Sequence, residues 1–402
     1  MSRKENGTGL GRRDFLKTLC LGGLSAAATS LPEVAGAQEK EKVGPIARRK
    51  LGKTGMDVSI LTLGGMFDTL NNQLLLKQAY NWGITSWDTA EAYGSEEGYG
   101  RFFSKYPEAR KDIFLSTKLV AKEGPNYAER LDKSLARLKT DHVELFLVHG
   151  ISDAKEMTDE WKSFAAKAKQ AGKIRFMGFS SHSNMEDCLL AAAKMDWIDA
   201  VIISYNFRLM STPKMQDAVA ACEKAGIGLI AMKTQGGGPV QTESEAELKL
   251  GGRFLAKGFT DKQARLKAVW ENPQIASICS QMHTLSILSA NVAAALDKTK
   301  LTAAERDLFD EYAKDTRHGY CAGCAKVCTS AIDGKAPIGE VMRCLMYHKD
   351  YGNPEQARAA FAALPPETAE HLRTLDFSEA ESACPQGLAV SALMREAAKL
   401  FG

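Results

Sequence analysis

Residues 129–149 read ERLDKSLARLKTDHVELFLVH. Leu131, Leu135 and Leu138 recur three and four positions apart, a spacing that places their side chains on one face of a helix. The VELFLVH run that follows is apolar at nearly every position, as in a parallel strand that is buried on both faces. The stretch therefore predicts a helix that leads into a buried parallel strand, and His149 closes this strand.

The same pattern repeats on both sides of this stretch. The predicted strands are VSILTL, GITSWD, IFLST, VELFLVH, IRFMGFS, AVIIS, IGLIAM and IASIC. Eight strands that alternate with helix-like segments over about 245 residues are typical of a (β/α)8 barrel. A doubly wound open sheet is the alternative, but no G-x-G-x-x-G turn follows the first run. The sequence therefore predicts an α/β protein with a (β/α)8 TIM barrel over residues 48–300.

Four side chains suited to acid–base chemistry lie at the ends of three consecutive predicted strands. Asp88 closes the second strand, and Tyr93 follows it five residues later. Lys118 closes the third strand, and His149 closes the fourth. Because active sites of such barrels lie at the carboxyl ends of the strands, we expect the four side chains to meet there.

These residue types have complementary chemistry. A neighbouring ammonium group stabilises a tyrosine phenolate and lowers the phenol pKa from its usual value of about 10. A carboxylate keeps the ammonium group charged and in position. A neutral histidine can donate a hydrogen bond that orients a carbonyl oxygen. The pattern therefore predicts a site that moves a proton to or from an oxygen atom.

Composition and charge describe an ordinary globular protein. The chain has 402 residues, of which 45% are hydrophobic and 25% are charged. Its net charge of +3 is too small and too evenly spread to indicate nucleic acid or an anionic membrane as a partner.

The first 37 residues predict an export signal. Arg12 and Arg13 precede an apolar-rich stretch of about 13 residues, which is too short to form a stable membrane span. Residues 35–37 read AGA and offer a cleavage site between small residues. The paired arginines resemble the twin-arginine signal of bacteria, although an ordinary secretory signal also has a basic start. Residues 38–47 are predicted to be a linker.

A twin-arginine signal has consequences for partners and location. Signals of this kind carry proteins that have folded, and taken up their cofactors, in the cytoplasm. The resemblance implies the twin-arginine export machinery as a partner and a periplasmic or other extracytoplasmic location. No later segment is long and apolar enough to insert stably in a membrane.

Cysteines are concentrated near the end of the chain. Five of the nine lie in the last 82 residues, and residues 321–328 read CAGCAKVC. Disulfides, a structural zinc and an iron–sulfur cluster are all open interpretations. Zinc usually takes two C-x2-C pairs, of which only one is present, and Cys344 makes the local cysteine count odd. Residues 301–402 are predicted to form a small, mainly α-helical, cysteine-rich domain.

Several motifs together resemble the aldo-keto reductase family over about residues 48–300. They are RKLGKTGMDVSILTLGG, DTAEAYG, LSTKL, ERLDKSLARLKTDHVELFLVH, AGKIRFMGFSSHS and the YN pair at 205–206. The resemblance implies that Tyr93 is the general acid, that Lys118 and Asp88 tune it, and that His149 orients the substrate. It further implies hydride transfer between a nicotinamide cofactor, NADP or NAD, and a small carbonyl or sugar substrate. The residues implied in holding this cofactor are Gly64, Gly65, Met66, Ser180, Ser181, Lys233 and Asn291.

The cofactor region departs from the family pattern at three places. Ile202 stands where members commonly have a glutamine on the sixth strand, and Met232 and Lys233 stand where an aromatic residue is common after the seventh. No lysine or arginine lies between Ser280 and Asn291, the segment that often binds the 2′-phosphate of NADP. The choice between NAD and NADP is therefore open.

The cysteine run resembles a ferredoxin-type domain in which one half has been lost. Such a domain supplies three cysteines from one run and a Cys-Pro from the other half. The resemblance implies that Cys321, Cys324, Cys328 and Cys384 hold one 4Fe–4S cluster, although the x3 spacing in the run departs from the usual x2. It implies an electron relay or a structural role, with a possible redox partner protein.

Two hypotheses of different classes remain. One is an exported oxidoreductase that interconverts a carbonyl and an alcohol, with an aldehyde, ketone or sugar as substrate. The alternative is a non-catalytic barrel that binds a sugar-like or carbonyl ligand and has structural cysteines. The Asp-Tyr-Lys-His set favours the first, and the altered cofactor positions favour the second.

Overall fold

The computed structural model describes residues 46–121, 126–235, 252–254 and 256–402. The predicted signal at 1–37 and all but the last two residues of the predicted linker lie outside the described residues. Within the described part of the chain, none of the helices combines the length and apolarity that crossing a lipid bilayer requires.

Eight parallel strands close into a barrel, which confirms the predicted (β/α)8 fold. The first barrel strand pairs with the last through Leu61 opposite Ile278, and this pairing closes the ring. The eight strands are β3 Leu61–Gly64, β4 Ser86–Asp88, β5 Phe114–Val120, β6 Val143–Ile151, β7 Ile174–Ser181, β8 Ala200–Ser204, β9 Gly228–Met232 and β10 Ile275–Ser280.

The first predicted strand divides into two elements. Its first half forms β2 Asp57–Ser59, which pairs antiparallel with β1 Arg48–Lys50 outside the barrel. Only the second half, β3, joins the barrel sheet. The hairpin packs Leu51 and Val58 against apolar side chains inside the barrel, including Leu145. Because the hairpin strand β2 also buries an apolar residue, Val58, the run VSILTL is apolar on both sides of Ile60. The sequence pattern therefore did not reveal that the strand ends before Ile60 and that a second one begins after it.

Helices surround the barrel, and most of them bury one face, whereas the helix 261–270 is buried at every position from Gln263 to Trp270. In the helix 127–138, Leu131, Leu135 and Leu138 are all buried, as their spacing predicted. Lys139 adopts a left-handed conformation (φ 52°) that ends this helix before β6. The helices are α1 Gln73–Asn81, α2 Glu96–Lys105, α3 Pro107–Asp112, α4 Tyr127–Leu138, α5 Asp159–Gln170, α6 Met185–Ala192, α7 Pro213–Lys224, α8 Asp261–Trp270 and α9 Leu285–Leu296.

The C-terminal part of the chain is helical, as predicted. Its elements are α10 Ala303–Asp315, α11 Ala325–Ala331, α12 Ile338–Lys349, α13 Pro354–Ala362, α14 Thr368–Thr374, α15 Ser378–Ala383 and α16 Val390–Phe401. Phe309 and Tyr312 of α10 pack against Phe207 of the barrel. The helices from α11 onward share a separate apolar core. The packing therefore assigns α10 to the barrel side and begins the cysteine-bearing helical region after it.

The helical region lies against the face of the barrel where the strands end. The backbone N–H of Asn184, just after β7, donates to the carbonyl oxygen of Gly323 at 2.7 Å. The Asn184 side chain accepts from the N–H of Lys326 at 3.0 Å. The amide of Asn206, just after β8, donates to the Tyr320 hydroxyl at 2.9 Å. These contacts hold the helical region over the carboxyl ends of the strands.

Close pairing of β7 and β8 predicts that Gly178→Ala is strongly destabilising. A Cβ at this position would lie 1.7 Å from the carbonyl oxygen of Ala200, so the two strands would have to separate. We expect the free energy of unfolding to fall by about 1–3 kcal/mol or more in denaturant titrations. In Gly252→Ala, the matched control, the new Cβ meets no atom of the described residues within 4 Å, and we expect no such loss. Equal stability of the two variants would contradict the strand packing described here.

Candidate active site

A buried ion pair lies at the ends of β4 and β5. The Nζ atom of Lys118 is 2.5 Å from Oδ2 of Asp88, and the two residues are 2% and 4% exposed. The same Nζ donates to the backbone oxygen of Thr89 at 2.8 Å. The Ser116 hydroxyl donates to the second carboxylate oxygen of Asp88 at 2.6 Å. Both charges are therefore compensated in a region that water does not reach.

Tyr93 lies above this pair. It ends a short 3-10 turn, Glu91–Tyr93, which leaves β4 and is closed by Gly94 in the left-handed region (φ 67°). Lys118 Nζ is 4.9 Å from the centroid of the Tyr93 ring. The Tyr93 hydroxyl is 3.4 Å from Nε2 of His149, and the two rings meet edge to face. The structure thus brings together the four side chains that the sequence grouped by strand ends.

The pKa of Tyr93 is raised well above its usual value, opposite to the shift expected from its lysine neighbour. Burial is the largest cause, and the negative charge of Asp88 is the next. Lys118 Nζ is paired with Asp88 and faces the Tyr93 ring, so its charge does not outweigh these two causes while the phenol is protonated. Tyr93 therefore holds its proton at neutral pH.

His149 is neutral in this environment. Burial is the main cause that lowers its pKa well below the usual value, and the positive charges of Lys118 and Arg343 add to it. Its Nδ1 atom is buried without a hydrogen-bond partner among the described residues. A neutral imidazole beside a protonated phenol gives two groups that can hydrogen-bond one carbonyl oxygen.

The backbone segment at 64–66 lies beside this group. The N–H of Gly65 donates to the carbonyl oxygen of Asp88 at 2.7 Å. A Cβ at Gly65 would lie 2.8 Å from that same oxygen, so only glycine fits here. The carbonyl oxygen of Met66 accepts from the side chain of Gln281, and a Cβ at Gly64 would lie 3.2 Å from the Cys279 sulfur. The segment is therefore held close to the end of the barrel.

The two serines expected to bind a carboxamide differ in their hydrogen bonds. The Ser180 hydroxyl accepts from the N–H of Gly150 at 2.9 Å, so its own proton is available to a ligand. The Ser181 hydroxyl donates to the carbonyl oxygen of Ser183 at 2.8 Å. Ile202 is buried inside the barrel and offers no polar group. Ser180 is therefore the better placed of the two to donate to a carboxamide oxygen.

Lys233 and Asn291, the remaining residues of the expected cofactor set, lie in different surroundings. Lys233 follows β9 with a positive φ of 55°, and its Nζ is 5.5 Å from the centroid of the Tyr347 ring. Asn291 is buried, donates to the Ser280 hydroxyl at 3.0 Å and accepts from Gln235 at 2.9 Å. The Asn291 side chain is therefore already hydrogen-bonded to other residues of the protein.

Sequence reasoning missed the contribution of helix α12. Arg343 and Tyr347 lie four residues apart on this helix and face the barrel. Burial raises the pKa of Tyr93 and lowers that of His149, and the positive charge of Arg343 opposes the first shift and adds to the second. The spacing of four residues between Arg343 and Tyr347 indicates that both side chains lie on one face of a helix. The local sequence pattern cannot reveal that this face lies against the barrel.

A cavity of about 460 Å3 lies between the barrel end and the helical region. His182, Ser204 and Lys233 line it from the barrel. Arg343 and Tyr320 line it from the other side, together with apolar residues. His182 thus borders the cavity, whereas His283, which follows β10, is exposed. A small molecule in this cavity would contact both parts of the chain.

The four cysteines singled out by spacing line one small apolar pocket. Cys321, Cys324 and Cys328 meet Cys384 there, and every cysteine in the described residues is a free thiol. Burial raises the pKa of Cys321 to about 12 and that of Cys324 to about 11, and the neighbouring thiols add to both shifts. Among the described residues, no three His, Cys, Asp or Glu side chains are close enough to hold one metal ion.

Comparisons with known proteins agree with this fold. A model of the aldo/keto reductase family matches residues 62–313, more than half of the chain, so the chain belongs to this family. The cysteine-bearing helical region lies outside the matched residues.

Individual relatives are distant. Aldo-keto reductase yakc of Schizosaccharomyces pombe, whose name includes NADP(+), is 32% identical over 42% of this chain and 53% of its own length. L-galactose dehydrogenase of Arabidopsis thaliana is 27% identical over 66% of this chain and 93% of its own. Among solved structures, the holo form of aldo-keto reductase AKR11C1 from Bacillus halodurans is 25% identical and superposes with a TM-score of 0.54. The superposition covers 66% of this chain and 96% of that protein. For three of the curated relatives, the chain spans only 53 to 66% of their length.

Burial of two histidines predicts a pH-dependent stability. Burial is the largest cause that lowers the pKa values of His149 and His182 well below 6.5, so the unfolded chain takes up protons near that pH while the folded protein does not. Acidification below about pH 6.5 should therefore favour unfolding, by up to about 1.4 kcal/mol per pH unit for each histidine. Denaturant titrations between pH 7.5 and 5.5 measure this slope.

Substitution separates these histidines from the other titrating groups. We expect His149→Gln to reduce the slope, and His283→Gln, a change at an exposed position, to leave it as in the unaltered protein. A slope that is the same in all three proteins would show that His149 is protonated in the folded state.

Proposed function

We propose that the protein is an exported oxidoreductase that interconverts a carbonyl compound and an alcohol by Tyr93-assisted hydride transfer. The observation that carries the proposal is the single cluster formed by Asp88, Lys118, Tyr93 and His149. Within it, the ion pair is at 2.5 Å, the ammonium lies 4.9 Å from the phenol ring, and the hydroxyl is 3.4 Å from the imidazole. Family membership supports the same reaction class.

Tyr93 acts as the proton donor in the reducing direction. Its raised pKa keeps the phenol protonated at neutral pH, so a proton is ready for the carbonyl oxygen of the substrate. His149, neutral and 3.4 Å away, donates a second hydrogen bond that orients this oxygen. As the proton leaves Tyr93, the nearby Lys118 stabilises the phenolate that forms. In the oxidising direction, the phenolate takes the proton back from the alcohol.

A nicotinamide dinucleotide, NAD or NADP, supplies or accepts the hydride when bound. The residues present fit the nicotinamide end of such a cofactor. The backbone at Gly64, Gly65 and Met66 lies beside Asp88, and the Ser180 hydroxyl has a free proton for the carboxamide. Lys233 borders the cavity next to this region. The name of the fission yeast relative supports NADP, while the lack of a cation between Ser280 and Asn291 favours NAD.

The C-terminal cysteines are proposed to hold one 4Fe–4S cluster. Four free thiols from two separated segments line one pocket with apolar walls, which fits a cluster and leaves no disulfide to compete for them. Zinc usually takes two C-x2-C pairs, of which only one is present. Cys321, Cys324, Cys328 and Cys384 would each supply one thiolate to the cluster. Held by these four cysteines, a cluster would supply one-electron chemistry towards a redox partner or would stabilise the helical region.

The proposed route of export is the twin-arginine pathway. It rests on Arg12 and Arg13 and on the residues that follow, all outside the described residues. A cluster assembled in the cytoplasm requires export of a folded protein, so the signal and the cysteines support each other.

A non-catalytic binding protein is the second candidate. Ile202, Met232 and Lys233 replace groups that family members use to hold the nicotinamide ring. The helical region also lies over the barrel end where the ring would bind. These observations favour ligand binding without hydride transfer, and the complete acid–base cluster opposes it.

Tyr93→Phe is expected to reduce turnover by about 100-fold to 10,000-fold, because the proton donor is lost while the ring remains. The assay follows nicotinamide absorbance with a panel of aldehydes, ketones and aldoses, methylglyoxal among them. Tyr80→Phe, which removes a hydroxyl bonded to Asp112 on the outside of the barrel, is the matched control and should retain full activity. Turnover that survives Tyr93→Phe would remove Tyr93 from the mechanism. Ligand binding with no turnover in any variant would favour the second candidate.

Anaerobically purified protein is expected to contain about four irons and four acid-labile sulfides per chain. Cys328→Ala should lower both contents because it removes a ligand. Cys344→Ala is the matched control, since this cysteine is buried in the core of the same region and does not line the cysteine pocket. One zinc per chain, or no metal at all, would refute the cluster.

Replacing both Arg12 and Arg13 by lysine is expected to retain the protein in the cytoplasm of a bacterial host with a twin-arginine system. Cell fractionation followed by immunoblotting measures the distribution. A host that lacks this system should give the same retention with the unaltered chain. Periplasmic protein in either experiment would assign export to the general secretory pathway.

A further inference from the structure

The cavity beneath α12 has the size and lining of a small-molecule site. Its volume of about 460 Å3 lies within the range of about 300–1,000 Å3 that ligand pockets occupy. One wall is apolar and consists of Met342, Leu345, Met346, Leu388 and Leu393. The remaining wall carries a few polar and charged side chains. Such a combination binds a carbon skeleton and recognises a small number of polar groups.

Two cations face this cavity from opposite sides. Lys233 comes from the barrel and Arg343 from α12. Within the described residues, Lys233 makes no ion pair and lies against the Tyr347 ring instead. Arg343 pairs with Glu340 one turn earlier on the same helix, but its Nε atom is buried without a hydrogen-bond partner in the described structure. Donors for an anion are therefore present and not fully used.

The charges around the cavity repel one another. Burial lowers the pKa of Lys233 to about 7, and the positive charge of Arg343 is the next cause. Lys233 and Arg343 also add to the lowering that burial causes at the pKa of His182. Two further charged residues line the cavity. Asp350 is the acidic one, and Lys349 is the basic one and pairs with Glu396. A bound anion would relieve the repulsion between Lys233 and Arg343.

Arg343 also connects the cavity to the proton donor. Its charge acts on Tyr93 and on His149 as well as on Lys233. The cavity also borders the barrel site in space, since His182 lines it two residues after Ser180, whose hydroxyl accepts from the N–H of Gly150 next to His149.

We propose that Arg343 and Lys233 bind a carboxylate of the substrate, so that the protein acts on acidic carbonyl compounds such as oxo acids or sugar acids. The proposal rests on the proposed function for the position of the reacting carbonyl. The apolar wall contacts the carbon skeleton, and the guanidinium offers two parallel donors to the carboxylate oxygens.

Calorimetric titration of the full-length holoprotein tests the proposal without turnover. The probes are two matched pairs, D-glucuronate with D-glucose and pyruvate with acetone. In at least one pair, the acid should bind about tenfold or more tightly than its neutral partner. Arg343→Gln should weaken binding of that acid by about tenfold or more, while Arg343→Lys should restore part of the affinity. Arg373→Gln, at an exposed arginine of the same region outside the cavity, is the matched control and should bind like the unaltered protein.

Three results would overturn the proposal. They are equal affinity for acid and neutral partner in both pairs, unchanged acid binding in Arg343→Gln, and binding of inorganic pyrophosphate in preference to both acids. The last result would assign the two cations to the phosphates of a cofactor. Tyr93→Phe should still bind the acid. Turnover that survives in Tyr93→Phe would contradict the proposed function, whereas acid binding that survives in Arg343→Gln would contradict the carboxylate site.

Discussion

The ion pair between Lys118 and Asp88 constrains the whole barrel end. Two charges buried to this degree are costly unless each finds a partner, and the partners here come from successive strands. Lys118 reaches across from β5 to Asp88 on β4, and the Ser116 hydroxyl and the Thr89 carbonyl satisfy the remaining donors and acceptors. This arrangement requires the β4–β5 register in which Asp88 lies opposite Ser116. The ion pair thus fixes the position of the Lys118 ammonium group, against which the Tyr93 ring lies.

The helical region changes the environment of this barrel end. It lies over the carboxyl ends of the strands, contributes Arg343 and Tyr347, and places the cysteine pocket next to the cavity. Cys321 lines both of these spaces. In a family whose active site is built from barrel loops, this chain thus adds a second source of charge and, with the proposed cluster, a second kind of redox group. Of the two altered residues after the seventh strand, Lys233 lines the cavity and lies against Tyr347 of the helical region, whereas Met232 packs inside the barrel.

Much of this structure was predictable because the relevant physics is local. Alternating apolar runs specified the strands, the spacing of Leu131 and Leu135 specified a helix face, and residues at strand ends had to meet once the strands were parallel. The break at residue 60, the raised pKa of Tyr93 and the role of Arg343 were not predictable. They depend on antiparallel pairing, on burial and on the docking of a distant helix, and none of these leaves a periodic pattern in the sequence.

A double-mutant cycle between His149→Gln and Arg343→Gln tests most directly whether barrel and helical region form one site. The measured quantity is kcat/KM for a carbonyl substrate in the unaltered protein, both single variants and the double variant. Since the charge of Arg343 acts on His149, we predict a coupling energy of at least about 1 kcal/mol. Effects that add to within about 0.3 kcal/mol would show that the helical region acts independently of the barrel site.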